Sequence, residues 1–140
     1  MNWLFYALLS ALFAALTAIL AKIGIKGVNS NLATAIRTVV ILLFAWGIVF
    51  FQGGYRELSS ISRYSMIFLI LSGLATGLSW LFYFRALQLG TASQVSPIDK
   101  ISLALTIVLA AFILKERITL PIALGAVLMS VGAIIIGLGK

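Results

Sequence analysis

Five apolar stretches, each close to the roughly 20 residues that a helix needs to cross a hydrocarbon core, take up most of this chain: about residues 3–21, 32–51, 64–87, 92–114 and 120–138. Little is left to coat a soluble domain. Of 140 residues 63% are hydrophobic and 9% charged, and the mean hydropathy is +1.21, far from the composition of a water-soluble fold. The expected class is an all-α integral membrane protein, a bundle of five transmembrane helices forming a single domain over residues 1–140.

The charges fit that reading. A net charge of +7 would point to nucleic acid in a soluble protein, but here the basic residues lie mostly at the ends of apolar runs, where lipid headgroups hold them. No nucleic-acid partner is expected. The chain has no Cys and no His, which excludes disulfides, thiolate chemistry and the usual metal sites. Its carboxylates are Asp99, Glu57 and Glu116, a set that argues against a two-carboxylate catalytic pair. Neither an enzyme nor a cofactor is expected.

Along the chain, the first run has no basic residue before its apolar core, so a cleaved signal peptide is not expected. Ala7, Ala11, Ala15 and Ala18 give it a small-residue face suited to close helix contact. Gly27-Val28-Asn29-Ser30-Asn31 is a turn with helix-capping chemistry that opens the second run. The polar loop from Gln52 to Arg63 has room for a short interfacial helix. The third run carries Gly73 and Gly77 in a G-x-x-x-G spacing, then Trp80, Tyr83 and Arg85. Ser102, Thr106 and Ala110 form a small face on the fourth, and Leu114-Lys115-Glu116-Arg117 closes it. Pro121 suits a first helical turn, and the fifth run, with Gly125, Gly132 and Gly137, reads as a packing helix.

One stretch does not fit passive packing. Ser93-Gln94-Val95-Ser96-Pro97-Ile98-Asp99-Lys100 puts an acid, a base and a proline at the head of the fourth run. A charged side chain at a bilayer centre costs on the order of 2.5 to 3.5 kcal/mol on insertion scales, so Asp99 and Lys100 need a compensating role. Pro97 has no N–H to give the carbonyl one turn back, near Ser93, which leaves a polar group open where the charges sit. Ser96, Pro97, Asp99 and Lys100 are therefore candidate site residues.

Arg37 and Asp99 each lie roughly 9 to 12 Å below the same face by helical rise, with Arg85 shallower. Arg37 has two readings, snorkelling or a structural ion pair on one side and direct solute contact on the other. Asp99 can pair with Arg37 or with Lys100. Arg37, Arg85 and Lys100 against Asp99 leave an excess of two positive charges. That excess suits a carboxylate-bearing or zwitterionic solute, with Trp80 and Tyr83 as apolar walls. The alternative is that Arg37 and Lys100 only hold helices in register. Asp99 is the candidate for proton coupling, since proton relays in carriers use carboxylates sunk in spans.

With those residues in view, the chain resembles one repeat of the EamA-like family in the drug/metabolite transporter superfamily. The resemblance runs over nearly all five helices. It is sharpest from Phe84-Arg85-Ala86-Leu87 through Gly90, Ala92-Ser93 and Val95-Ser96-Pro97 to Leu114-Lys115-Glu116-Arg117-Ile118-Thr119 and the glycine-rich last helix. It implies one half of a ten-helix inverted-repeat transporter, in the shorter five-helix branch. The Asp99-Lys100 pair and Lys115 depart from the longer members, which carry mostly apolar residues and a small residue at those places.

An odd number of spans puts the termini on opposite faces, so two tandem units would be inverted, the arrangement that alternating access uses. A lone unit regains it by antiparallel pairing, as a homodimer or with a paralogous five-helix partner. Arg56, Arg63, Lys115 and Arg117 on one face balance Lys22, Lys26, Arg85 and Lys140 on the other, so the positive-inside rule leaves orientation undecided. The expected function is export of a small metabolite or drug-like solute across the inner (plasma) membrane. The contrasting expectation is a non-transporting scaffold or accessory subunit, which has little need for a polar pair inside a helix.

Overall fold

The computed structural model describes residues 2–139; Lys140, counted above among the basic residues, lies outside them. Six α-helices follow one another: α1 (Trp3–Gly24), α2 (Ser30–Gln52), α3 (Arg63–Leu89), α4 (Ala92–Asp99), α5 (Ile101–Ile113) and α6 (Leu120–Leu138), with a 3-10 helix at Gly54–Ser60. Among the described residues five helical stretches are long and apolar enough to cross a membrane, α4 and α5 together making one of them, Ala92–Ile113. This is the architecture of a single five-helix unit.

Local chemistry sets the helix ends. Asn29 stands outside α2 in extended conformation and its Oδ1 accepts from the N–H groups of Asn31 at 2.9 Å and Leu32 at 3.3 Å, two donors that a helix start otherwise leaves unbonded. Gly53, at φ 73°, closes α2, and its N–H donates to the Phe50 and Val49 carbonyls. The left-handed turn suits glycine because it has no β-carbon to clash. Ser62 Oγ accepts from the Ser65 N–H at 3.0 Å as α3 begins. Lys115 closes α5 at φ 56° without being glycine.

The fourth apolar run is interrupted at Lys100. Pro97 lies inside α4, where its ring crowds the preceding turn and its nitrogen cannot donate. Bonds of the tighter 3-10 kind follow: the Lys100 N–H donates to the Pro97 carbonyl at 3.0 Å, and the Leu103 N–H to the Lys100 carbonyl at 3.0 Å. The break therefore falls at the charged pair, not at the proline itself.

The chain divides into two compact units. One holds α1 as far as Lys22 together with everything from Leu89 onward. In it α4 and α5 both pack on α6, with Ala133 buried. The Lys22 ammonium donates to the Gly90 carbonyl at 2.6 Å, and Gln94 Nε2 to the Gly139 carbonyl at 2.8 Å.

The other unit, Ile23–Gln88, buries Ile25, Ser30, Thr34, Phe84 and Leu87. The hydroxyls of Thr34 and Thr38 donate to the carbonyls four residues back, at 2.9 and 2.8 Å, which satisfies them inside an apolar helix.

Elsewhere large apolar side chains face outward, Phe51 at 97% and Phe112 at 81% exposure, as lipid-facing helices require. The small-residue faces behave unevenly. Ala18 is buried while Ala7, Ala11 and Ala15 are exposed. A β-carbon built on Gly73 or Gly77 meets no described atom within 4 Å.

Candidate functional site

The two compact units each carry candidate site residues, and each set is described within its own unit. In the first, α4 ends where the Lys100 ammonium lies 3.3 Å from Asp99 Oδ2. Of the two partners considered for Asp99, the structure gives Lys100. The side chains remain 48% and 34% exposed for Lys100 and Asp99, so the pair is partly accessible on this unit. Ser96 and Pro97 are half-buried on the preceding turn.

At the start of α4 a second polar set forms. The Thr91 hydroxyl donates to Gln94 Oε1 at 2.9 Å and lies 3.1 Å from Ser93 Oγ. Since that hydroxyl has one proton, the Ser93 hydroxyl is the donor in the second contact. Gln94 then carries the chain of bonds to α6 at Gly139.

In the second unit the Arg37 guanidinium lies over the indole of Trp80, 3.9 Å from the ring centre, with the Phe84 ring at 5.5 Å. Trp80 is nine residues before the end of α3, about 13 Å along the helix axis; Phe84 is closer to that end. Arg37 rests on the ring farther from that end of α3. Cation–π contact of this kind is worth about 2 kcal/mol when desolvated, which lowers the cost of keeping the charge at depth.

Tyr83 lies near enough to the Arg37 guanidinium to interact with it electrostatically, while Arg85 goes elsewhere. The Tyr83 ring meets Phe84 edge-on at 6.4 Å. Arg85 Nη1 donates to Gln88 Oε1 at 3.1 Å, and Gln88 Nε2 donates to the Val28 carbonyl at 2.6 Å. Arg85 is thus tied to the turn before α2. Phe84, Gln88 and Gln94 were not among the expected site residues. A signal for the first two existed: 80, 84 and 88 repeat at four-residue spacing and share one helix face.

Comparison with known proteins follows the same lines. The profile of the EamA-like transporter family matches residues 1–138. The chain is 47% identical over 135 residues, 96% of each chain, to a Sinorhizobium sp protein named "Uncharacterized transporter in cobO 3'region". It is 30% identical over 86 residues, 61% of this chain and 63% of the relative, to an uncharacterized protein of Methanocaldococcus jannaschii. No solved structure matches.

Proposed function

Because the chain belongs to the EamA-like transporter family, a family of carriers and not of enzymes, we propose that it moves a small metabolite or drug-like solute outward across the inner membrane. It does so by alternating access, as an antiparallel dimer of two copies. The observation that carries this reading is the Asp99–Lys100 pair at the break between α4 and α5. A helix interrupted within a span exposes backbone carbonyls and charges together, the combination from which carriers build midplane sites.

Both members of the pair keep substantial exposure in a single chain. Facing lipid, that exposure is costly; facing a second inverted unit, it lines a polar cavity. The Gly73–Gly77 face of α3, where an added β-carbon meets no described atom within 4 Å, suits close approach by that second unit. Asp99 then binds and releases the coupling proton. Ser96 and the Ser93 carbonyl, which Pro97 cannot bond, supply neutral oxygens beside it.

The test is flux in proteoliposomes holding an entrapped pH dye, challenged with a panel of amino acids and monocarboxylates. Wild-type protein moves protons only with the solute it carries. Asp99→Asn loses proton movement, and unchanged solute-dependent proton flux in that variant contradicts the role given to Asp99.

A further inference from the structure

Among the described residues the Arg37 side chain contacts aromatic rings alone, whereas Lys100 has Asp99 and Arg85 has Gln88. Among the described residues no side-chain or backbone acceptor receives a hydrogen bond from its guanidinium, and no carboxylate lies within ion-pair distance. Trp80 covers one flat face of the group at 3.9 Å. A ring on the face leaves the edge, where all five N–H donors lie in the guanidinium plane. The group is half-buried and lies beside a ring about 13 Å from the helix end.

We infer that the Arg37 edge is the anion-recognition element of this carrier, binding the carboxylate of a solute through two parallel N–H···O bonds while Trp80 fixes the plane of the fork. The inference rests on the carrier reading above and assigns its substrate class. Planar fork-to-carboxylate pairing is the interaction that arginine makes and lysine does not. Lys100 is a poor choice for the same task because its charge is already met by the neighbouring carboxylate. Trp80 lies about 13 Å from the end of α3, a distance that favours a solute over a lipid phosphate at the fork.

The test uses full-length protein carrying Trp3→Phe and Trp46→Phe, so that Trp80 alone reports, in nanodiscs of phosphatidylcholine. Benzoate is titrated against benzamide, its neutral counterpart of the same shape. The expected result is a saturable change in Trp80 emission with benzoate and none with benzamide. Arg37→Lys, which keeps the charge, weakens benzoate at least tenfold, and Arg37→Gln abolishes the response. An equal response to benzamide, no response to benzoate, or benzoate affinity unchanged in Arg37→Lys overturns the inference.

A lipid source is read separately. If phosphatidylglycerol in the nanodisc shifts Trp80 emission through Arg37 and blocks benzoate, the fork holds headgroups and the solute assignment is overturned. Because the titration needs no flux, a failed titration beside intact transport removes only the carboxylate. An intact titration with no transport of any solute keeps the site and removes the carrier reading.

Discussion

Ile98 and Gly137 meet so closely that a β-carbon on Gly137 would fall 2.5 Å from Ile98 Cδ1 and 2.8 Å from its Cγ1. The contact joins α6 to the last turn of α4, one residue before Asp99. Both atoms belong to a side chain that can rotate, so Gly137→Ala forces a rotamer change while gaining helix propensity of about 1 kcal/mol. It leaves thermal stability nearly unchanged. Gly137→Val adds bulk the contact cannot absorb and lowers stability by about 1 to 3 kcal/mol. Adding Ile98→Ala to Gly137→Val recovers part of that loss, and thermal unfolding in detergent measures all three.

Removing either member of the Asp99–Lys100 pair leaves an uncompensated charge within a span, whereas removing both does not. The stability losses of Lys100→Met and Asp99→Asn therefore sum to more than the loss of the double variant. The coupling is about 1 kcal/mol where water reaches the pair and larger in lipid. A double-mutant cycle on thermal stability in nanodiscs checks it. Strict additivity shows that the 3.3 Å contact contributes nothing.

Gln88 uses both ends of its amide, accepting from Arg85 and donating to the Val28 carbonyl. Gln88→Ala loses two bonds at about 0.5 to 1.5 kcal/mol each. Gln88→Glu keeps the arginine partner but sets an anion against a carbonyl, and it does not restore stability. Hydrogen exchange at the turn before α2 reads the loosening directly.

Lys115 holds a left-handed backbone, φ 56°, which costs a residue with a β-carbon roughly 1 to 2 kcal/mol. Lys115→Gly relieves it and Lys115→Ala does not. Since both remove the same charge, the glycine variant is the more stable of the two by about 1 kcal/mol, as thermal unfolding will show.

The five spans were legible because twenty-residue apolar runs have one use, and the start of α2 because Asn29 follows a glycine turn. The ion pair was half-legible: adjacency offered Lys100 to Asp99, yet depth offered Arg37 as well. What the sequence did not encode was the partner of Arg37. Hydropathy gives depth along an axis but not the rotation of α2 against α3, and that rotation puts Trp80 under the guanidinium. Pro97 marks where a bond is lost, while the tighter bonds from Lys100 to Pro97 and Leu103 to Lys100 mark where α4 gives way to α5, a boundary that hydropathy alone does not give.

Antiparallel pairing is tested most directly by thiol labelling, which the absence of cysteine makes clean. Single cysteines go in at Asn31 and at Ser60, both exposed and uncharged; Asn29 is avoided because it caps α2. With a membrane-impermeant reagent, the account predicts that each cysteine reacts from both sides of the membrane, about half the molecules from each. Each cysteine reacting from one side only, and the two from opposite sides, contradicts it.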